Sequence, residues 1–358
     1  MSSGVPDRYL IADTATIRDV AAAINDRKTG FALVVDHEGR LVGTVTDGDL
    51  RRAFLSGRSL DTPITSIMCL TPIVAAADVL PEAVVELAKR HRIQFVPLVN
   101  DQGCPVRVVR LGSGTTSDLG MFKTAIVMAG GEGNRLGPLT EKTPKPMLPV
   151  NGKPILEHIV RNLLGAGLQH IYLSVNYKAD IIIEHFGDGR KFGISIEYLQ
   201  EKEKLGTAGS LSLLPAIPDE PVLVMNGDVI TSVDYSSFFA FHVKHRGVMT
   251  VAAMEYRVKV PFGTLQTANH FLLSVVEKPE VRFHCNAGVY ALDPEALQYI
   301  PVNRAYDMTD LMSDLIHNGL PVSVFPIHEC WMDIGRPEDL EKARAGINAN
   351  SDRLGPER

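Results

Sequence analysis

The chain has 358 residues, of which 45% are hydrophobic and 22% are charged, and its formal net charge is −6 at pH 7. This length exceeds the usual size of a single hydrophobic core, so it predicts two domains. The acidic balance excludes a general electrostatic attraction to nucleic acid or to anionic membranes. An anionic substrate would therefore need a local cluster of cations.

The cysteines and the apolar runs of the sequence indicate the cellular compartment of the protein. The four cysteines are widely spaced and form no C-x-x-C pair, which argues against a disulfide framework or a zinc site. Residues 1–10 lack the basic and apolar regions of a secretory signal, and no apolar run approaches the roughly 18 residues that span a bilayer. We therefore expect a cytoplasmic protein.

The first 111 residues predict a duplicated helix–strand–turn–strand unit. The first copy has a helical pattern at 17–25, β-rich runs at 31–36 and 41–46, and the start of a second helix at 47–55. The second copy has an extended segment at 72–75, a helical pattern at 81–91 and β-rich runs at 95–100 and 106–111. One such unit cannot bury both of its faces, and pairing two of them solves the problem.

The strongest signal in this region is the string GTVTDGDLR at 43–51. It resembles the Thr-x-x-Asp ending of CBS repeats, which implies a tandem CBS domain over residues 1–115. In that family the Thr46 hydroxyl and the Asp49 carboxylate would hold an adenosine or guanosine nucleotide. The second copy lacks Thr-x-x-Asp, so at most one site is intact. The alternative is structural, with Thr46 ending a strand and Asp47 or Asp49 capping a helix. Regulation and dimerisation are both open roles for the pair.

A linker and a second pattern follow. Residues 112–120 (GSGTTSDLG) are small, polar and glycine-rich, and we assign 116–121 as the linker. Helical stretches at 155–166 and 236–245 then alternate with β-rich runs at 124–128, 170–175, 194–198, 222–225 and 249–254. This alternation predicts an α/β domain over 122–346, with a Rossmann-like, mixed and mostly parallel sheet, and a C-terminal tail at 347–358.

The first strand of this domain runs into the glycine-rich string AGGEGNR at 129–135. Glycines leave backbone N–H groups open to phosphate oxygens, and Arg135 adds a guanidinium fork. Lys145 follows between two prolines, so Arg135 and Lys145 supply the local cations that an anionic substrate needs. The string lacks the third glycine of a dinucleotide fingerprint, which excludes a nicotinamide oxidoreductase. It also lacks the Gly-Lys-Ser/Thr of a P-loop.

The longer string AGGEGNRLGPLTEKTPKPMLPVNGKPIL closely resembles the opening motif of the sugar-phosphate nucleotidyltransferases. The resemblance extends over residues 122 to about 346. It implies that Arg135 and Lys145 grip the triphosphate and the sugar phosphate and stabilise charge at the α-phosphorus. The nucleotide contacts that it implies in this loop are Ala129, Gly130, Gly131 and Gly133.

Two aspartates are candidates for one metal site. Asp228 follows an apolar run, and ligands of open α/β sheets lie at the carboxyl ends of strands. Asp333 lies in the string WMDIGRP. Because Mg²⁺ is commonly held by one or two carboxylates with phosphates and water, we expect both aspartates to converge on one Mg²⁺. The family resemblance implies the same pair. A glycosyltransferase is a weaker alternative, since Asn226 stands where its Asp-x-Asp motif would begin.

The resemblance implies further substrate contacts. Those to the sugar phosphate are Gly263, Glu277, Lys278 and Asn286, and those to the nucleotide are Glu201, Gly206 and Thr207. The string LGTAG at 205–209 is most similar to the guanylyltransferase branch, and the N–H donors of guanine suit a carboxylate acceptor such as Glu201. With its CBS pair, the chain resembles the CBS-containing glucosamine-1-phosphate guanylyltransferases of legionaminic acid biosynthesis.

These inferences predict a Mg²⁺-dependent enzyme that joins GTP to glucosamine 1-phosphate and releases pyrophosphate by direct in-line displacement. The alternative substrates are mannose 1-phosphate or heptose 1-phosphate, and UTP, dTTP or CTP. An alternative of another class is a non-catalytic sensor of a nucleotide and a sugar nucleotide. We expect a homo-oligomer that binds neither nucleic acid nor a membrane.

Overall fold

The computed structural model describes residues 7–27, 29–91, 93–110 and 121–351. The chain divides into two compact units, residues 1–118 and 119–358. The predicted linker at 116–121 lies outside the described residues except for Met121, and so do the last seven residues of the predicted tail. Among the described residues, none of the helices has both the length and the apolar character needed to cross a bilayer.

The N-terminal unit consists of two halves with the same topology. Its strands and helices are β1 Leu10–Ala12, α1 Ile17–Arg27, β2 Phe31–Val35, β3 Leu41–Thr46, α2 Asp47–Leu55, β4 Ala75–Ala76, α3 Pro81–His91, β5 Phe95–Val99 and β6 Pro105–Arg110. The sheets β1-β2-β3 and β4-β5-β6 each join one parallel and one antiparallel pair. The duplication predicted from the sequence is therefore confirmed.

The two halves of this unit pack against each other through their sheets. The ring centroids of Phe31 and Phe95 lie 3.9 Å apart, and the Leu41 N–H donates to the Gly103 carbonyl over 3.0 Å. Ala32 and Val34 of the first sheet are buried against α1 and α2, whereas Phe31 and Leu33 on its other face pack with Phe95 and Val108 of the second half. The contact between the halves therefore gives each sheet the second covered face that it cannot make alone.

The C-terminal unit is an α/β domain. Its strands and helices are β7 Thr124–Met128, β8 Pro149–Val150, β9 Lys153–Pro154, α4 Ile155–Gly165, β10 His170–Val175, α5 Ala179–Phe186, β11 Ser195–Gln200, α6 Gly206–Gly209, β12 Val222–Asn226, β13 Val229–Thr231, α7 Tyr235–His245, β14 Met249–Lys259, β15 Thr264–Ala268, β16 Phe271–Val276, β17 Glu280–Leu292, α8 Pro294–Leu297, α9 Met308–His317, β18 Val322–Ile327, β19 Trp331–Asp333 and α10 Pro337–Ser351. The last helix runs five residues into the predicted tail.

Seven strands form the central sheet, in the order β11-β10-β7-β12-β17-β14-β18. Within the described residues, β17 alone runs antiparallel to its neighbours, which confirms the predicted mixed and mostly parallel sheet. The central strand β7 is buried on both faces. Ala125 and Val127 belong to one hydrophobic cluster and Ile126 to the other, as expected of an apolar strand between two layers.

Beyond the sheet, β14 and β17 continue as a two-stranded ribbon that leads into the hairpin β15–β16. Strand β14 reaches Lys259, past the predicted end at residue 254. The hairpin turns through Asn269 and His270, whose φ angles are 46° and 70°. Two successive left-handed residues are what a two-residue type I′ turn requires.

Candidate active site

The loop that follows β7 lies at the carboxyl edge of the sheet, and its glycines have different surroundings. A Cβ at Gly130 would lie 2.8 Å from the Glu201 carboxylate. At Gly133, where φ is +70°, it would lie 2.9 Å from the Lys145 Cβ. Close packing therefore requires glycine at both positions. Gly131 is different, because no atom lies within 4 Å of its Cβ position. The open space beside this loop is at Gly131.

Successive backbone N–H groups of this loop are unpaired. Within the described residues, no acceptor pairs with the N–H groups of Gly130, Gly131, Glu132 or Gly133. The Ala129 N–H, by contrast, donates to the Ser174 carbonyl over 2.8 Å. Consecutive unpaired N–H groups in a turn form a concave site for anions such as phosphate. The predicted nucleotide contact of Ala129 cannot come from its N–H group.

Lys145 is the cation closest to the two candidate metal ligands. It begins a short 3₁₀ turn, Lys145–Met147, and only 13% of its side chain is exposed. Its Nζ forms an ion pair with Asp228 Oδ2 and lies 3.8 Å from Asp333 Oδ1. The structure thus brings Lys145, Asp228 and Asp333 together, as the predicted metal site requires.

Short strands position the two carboxylates. Val229 lies opposite Asp333 in the antiparallel pair β13–β19. The turn before β13 packs directly on the end of β7, because a Cβ at Gly227 would lie 2.8 Å from the Met128 carbonyl oxygen. The backbone therefore fixes Asp228 beside the glycine loop and Asp333 beside Asp228.

The electrostatics of this centre fit a divalent cation. Burial and the Asp228 carboxylate raise the pKa of Asp333, and Lys145 and Arg135 only partly oppose them. Asp228 Oδ1 is buried and has no hydrogen-bond partner among the described residues. Two carboxylates beside one ammonium, with one oxygen unpartnered, leave uncompensated negative charge. Their oxygen donors are the kind that Mg²⁺ prefers.

Arg135 borders the same centre. It lies in the 3₁₀ turn Asn134–Thr140, and its Nη1 is 3.9 Å from the Cβ position of Gly335, two residues after Asp333. The side chain is exposed, so its charge is available to a bound anion. The structure therefore places both predicted cations, Arg135 and Lys145, on the side of the glycine loop where the aspartates lie.

Glu201, the predicted acceptor for the base, is held in a fixed position. Ser174 Oγ donates to its Oε1 over 2.6 Å, and the Leu205 N–H donates to its Oε2 over 3.0 Å. The Asn176 amide holds the Glu201 carbonyl oxygen over 2.9 Å. Each carboxylate oxygen keeps a further lone pair, so the carboxylate can still accept from a ligand.

Gly206 and Thr207 fasten their segment to the start of α9. At Gly206, where φ is +76°, a Cβ would lie 2.7 Å from the Tyr306 carbonyl oxygen. Thr207 Oγ1 accepts the Met308 N–H over 2.8 Å, and the Thr207 N–H donates to Asp307 over 2.9 Å. These contacts alone give both residues a structural role. Their contact with a nucleotide stays a prediction.

The four predicted sugar-phosphate contacts form two local groups. A Cβ at Gly263 would lie 2.8 Å from Glu277 Oε2, so these residues lie side by side at the base of the hairpin, and Lys278 follows in a left-handed conformation. The Asn286 amide accepts the Gly288 N–H over 3.0 Å and donates to the Tyr290 hydroxyl over 2.8 Å. Asn286 is thus fixed within its own turn.

In the N-terminal unit, the two residues that were predicted to bind a nucleotide, Thr46 and Asp49, form hydrogen bonds with each other. Thr46 Oγ1 and the Thr46 N–H donate to Asp49 Oδ2 over 2.6 and 2.8 Å, and the Asp49 N–H donates back to Thr46 Oγ1 over 3.3 Å. This capping box starts α2. The cap residue is therefore Thr46 itself, rather than the Asp47 or Asp49 of the structural alternative.

Several residues of the centre were not predicted from the sequence. The Lys204 ammonium lies 2.6 Å from the Glu132 carboxylate, and this pair lowers the pKa of Glu132 and joins the glycine loop to the segment after Glu201. The Tyr177 hydroxyl donates to the Thr140 carbonyl over 3.2 Å. Tyr177 follows the carboxyl end of β10, next to β7, and that position was a usable signal.

Comparisons with known sequences identify the families that this chain resembles. A model of the nucleotidyl transferase family matches residues 124–350, and a CBS domain model matches residues 5–56. The mannose-1-phosphate guanylyltransferase of Mycobacterium tuberculosis is 31% identical over 229 residues, 62% of this chain and 64% of that protein. The UTP–glucose-1-phosphate uridylyltransferase of Synechocystis sp. is 30% identical over 243 residues, 62% of this chain and 63% of that protein. The chain thus spans less than two thirds of the length of these relatives.

Solved structures share the fold. A Bacillus anthracis protein described as a glucose-1-phosphate thymidylyltransferase superposes with a TM-score of 0.52 and 24% identity, covering 66% of this chain and 97% of that one. HddC from Yersinia pseudotuberculosis, complexed with GMP-PN, superposes with a TM-score of 0.50 and 27% identity. That superposition covers 63% of this chain and all of HddC.

Proposed function

Because this chain belongs to the nucleotidyl transferase family and carries an N-terminal CBS domain, we propose that it transfers the nucleotidyl group of a nucleoside triphosphate to a sugar 1-phosphate. The second product is pyrophosphate. The proposal rests on one observation above all: the Lys145 ammonium lies between Asp228 and Asp333, beside the unpaired N–H groups of the glycine loop. A sensor that only binds its ligands has no need of paired carboxylates at a phosphate site.

Asp228 and Asp333 would hold a Mg²⁺ ion, since their unpartnered oxygen and shared negative charge suit a hard divalent cation. When bound, the ion supplies positive charge that neutralises the phosphate oxygens of the nucleotide. The Lys145 ammonium partly balances the two carboxylates before any ligand arrives.

The glycine loop and the two cations beside it would act by orienting the substrates and by stabilising charge. The N–H groups of Gly131 and its neighbours would orient the leaving phosphates, and Arg135 and Lys145 would balance the charge that develops around the α-phosphorus. A phosphate oxygen of the sugar 1-phosphate attacks that phosphorus, and the bond to pyrophosphate breaks opposite to it. The second pKa of a phosphate monoester is about 6, so the attacking group is largely dianionic at pH 7 and needs no general base.

We propose GTP as the nucleotide and a hexose 1-phosphate, glucosamine 1-phosphate first, as the acceptor. The fixed Glu201 carboxylate can accept the N1–H and N2–H₂ donors of guanine. The Mycobacterium tuberculosis relative is a guanylyltransferase and the HddC structure contains GMP-PN, which supports guanine. The Synechocystis relative uses UTP, so UTP is the second candidate. Mannose 1-phosphate, named for the first relative, is the second candidate sugar.

We propose a regulatory role for the CBS unit, in which an adenosine or guanosine nucleotide binds near Thr46 and Asp49. Both side chains already bond each other, so a ligand would add to the capping box or open it. Cytoplasmic nucleotides are the substrates of the proposed reaction, and we propose that location for the enzyme.

A substrate panel tests the proposal. Full-length protein with Mg²⁺ is incubated with each of five nucleoside triphosphates and with glucosamine, mannose, glucose or heptose 1-phosphate, and pyrophosphate release is measured. We expect release that depends on both substrates and is fastest with GTP. Asp333→Asn serves as the inactive control, and Glu338→Gln, at an exposed position in the first turn of α10, serves as the active control. Binding of GTP without pyrophosphate release from any pair would favour the sensor instead.

A further inference from the structure

The ribbon formed by the outer parts of β14 and β17 has one apolar face. Tyr256 lies opposite Phe283 and Val258 lies opposite Val281. Directly opposed residues, and residues two apart on one strand, point to the same side of a ribbon. These four side chains therefore share a face, and they are 40–54% exposed.

The opposite face of the ribbon is charged and internally paired. Arg257 lies 3.3 Å from the Glu280 carboxylate and forms a second ion pair with Glu255. Arg282 lies 3.7 Å from Glu280 and 4.0 Å from Glu255. A ribbon with water on both sides gains nothing from an apolar face, whereas one apolar and one polar face is the pattern of a half-covered antiparallel pair.

The hairpin β15–β16, to which the ribbon leads, also exposes apolar side chains. Leu265 lies opposite Val275, so both side chains point to one side. The hairpin side chains that are 49–74% exposed are Phe262, Leu265, Phe271, Leu272, Leu273, Val275 and Val276. Residues 262–276 include no Lys, Arg, Asp or Glu. We call the four apolar ribbon residues and these seven hairpin residues the apolar arm.

The size of the apolar arm points to a protein partner. Leu272 and Val276 point away from Leu273 and Val275, so one side of the arm exposes on the order of several hundred Å² of apolar surface. The largest apolar patch of a typical monomer is about 300–600 Å². A stable interface of standard size buries about 800 Å² per partner. One side of the apolar arm is therefore large enough to form the apolar centre of such an interface, with polar residues around it.

We propose that the apolar arm is the contact surface for a second copy of this chain. A two-fold contact brings the same patch of both subunits together, so a patch with net charge would repel itself. The apolar arm is uncharged, and the flanking arginines are paired with glutamates. A membrane surface is the less favoured partner, because basic residues that bind anionic lipid need free charge, whereas Arg257 and Arg282 beside the arm are paired with glutamates.

Sedimentation equilibrium of the full-length protein tests the interface. Over nanomolar to high micromolar concentrations we expect a monomer–dimer equilibrium. The double variant Val258→Glu/Phe283→Glu should raise the dissociation constant about 100-fold or more, because it buries charges in an apolar contact. The matched control is Val302→Glu, an apolar side chain that is 73% exposed and lies outside the arm, and it should leave the constant unchanged.

Any of four results would overturn the proposal. The wild type could stay monomeric throughout, or the dimer could survive in the arm variant, which would place the interface elsewhere. Binding of a monomeric wild type to phosphatidylcholine vesicles, lost in the arm variant, would instead assign the arm to a membrane. If the double variant misfolds by circular dichroism, hydrogen exchange of the wild type decides. Amides of residues 256–283 should exchange more slowly at high than at low protein concentration, and equal rates would contradict the dimer.

Discussion

Ile334 donates its backbone N–H to the carbonyl oxygen of Asp228 over 3.1 Å. This bond extends the β13–β19 pairing and joins two segments that are remote in the sequence. Because backbone contacts fix the segments, the Asp228 and Asp333 side chains can be changed without moving the chain that carries them. Substitutions of these two aspartates can therefore change the charge of the centre without disturbing the fold.

Asp333→Asn should lower the rate of pyrophosphate release by about 100-fold or more, because it removes one of two carboxylates that would hold the metal. The Asp333 side chain is 46% exposed, so the melting temperature should change little. Steady-state kinetics and thermal unfolding provide the measurements. A rate near that of the wild type at ordinary Mg²⁺ concentrations would refute the metal role.

Lys145→Met should make stability depend more strongly on Mg²⁺. Without the ammonium, the carboxylates of Asp228 and Asp333 repel each other, so the variant should unfold at a lower temperature in chelator. Saturating Mg²⁺ should restore much of this loss, since a ligand present at about 100 times its dissociation constant stabilises by about 2.7 kcal/mol. Melting curves with and without Mg²⁺ test this independently of catalysis. Equal Mg²⁺ shifts in variant and wild type would contradict it.

The glycine loop allows a matched comparison of function and packing. Gly131→Ala meets no atom within 4 Å, so the fold should tolerate it while the methyl group obstructs the phosphate and raises the KM for the nucleotide about tenfold or more. Gly133→Ala is strained at φ +70° and would contact the Lys145 and Thr140 side chains at 2.9 Å. It should cost about 1–3 kcal/mol of unfolding free energy. If both variants lost the same stability, the distinction would be wrong.

Local patterns predicted five of the seven strands of the central sheet and two helices beside it, but not the arm. The helix at 81–91 and the strand at 124–128 have the predicted bounds, because strong periodicity and flanking turn residues define them. The sequence-based prediction ended β14 at residue 254, whereas the strand continues to Lys259. The apolar Tyr256 and Val258 alternate with charged neighbours, and this period-two pattern was a usable signal. The hairpin and β17 were not predicted as strands, since their pairing depends on distant segments.

The site was only partly predictable. The resemblance of the glycine string and of two aspartate segments supplied Lys145, Asp228 and Asp333, and the fold brings them together. The role of Thr207 as a partner of α9 could not be inferred, since Asp307 lies far away in the sequence. Sequence spacing does not report contacts that arise only when helices and loops pack.

Glu157 should stabilise the enzyme unit at neutral pH and lose this effect in acid. It is 7% exposed and joins α4 to α5 by hydrogen bonds from Arg161 and His185 over 2.8 and 2.9 Å. Burial raises the pKa of Glu157, but these bonds outweigh it and hold the pKa below its ordinary value. The contribution is therefore complete above the ordinary value of about 4.3 and is lost as pH falls through the lower folded value.

Glu157→Gln should accordingly lower the free energy of unfolding by about 1–3 kcal/mol at pH 7, and the difference from wild type should shrink below pH 4.3 or so. Urea unfolding at several pH values measures it. Glu184→Gln, an exposed position on α5, is the control and should change little at any pH. A difference that stayed constant down to pH 3 or thereabouts would show that the carboxylate charge is not its source.

Substitutions in the capping box of α2 can distinguish two roles of Thr46, helix capping and nucleotide binding. If the hydroxyl serves only the helix start, Thr46→Ala should cost about 1 kcal/mol and Thr46→Ser should recover most of it. If the hydroxyl also binds a nucleotide, AMP, ATP or GTP should raise the melting temperature of the wild type and of Thr46→Ser but not of Thr46→Ala. Calorimetric titration of the full-length protein gives the affinity directly. Because Asp49 accepts both the N–H and the hydroxyl of Thr46, Asp49→Asn should weaken the cap as well. An unchanged nucleotide affinity in Thr46→Ala and Asp49→Asn would assign these residues to the helix alone.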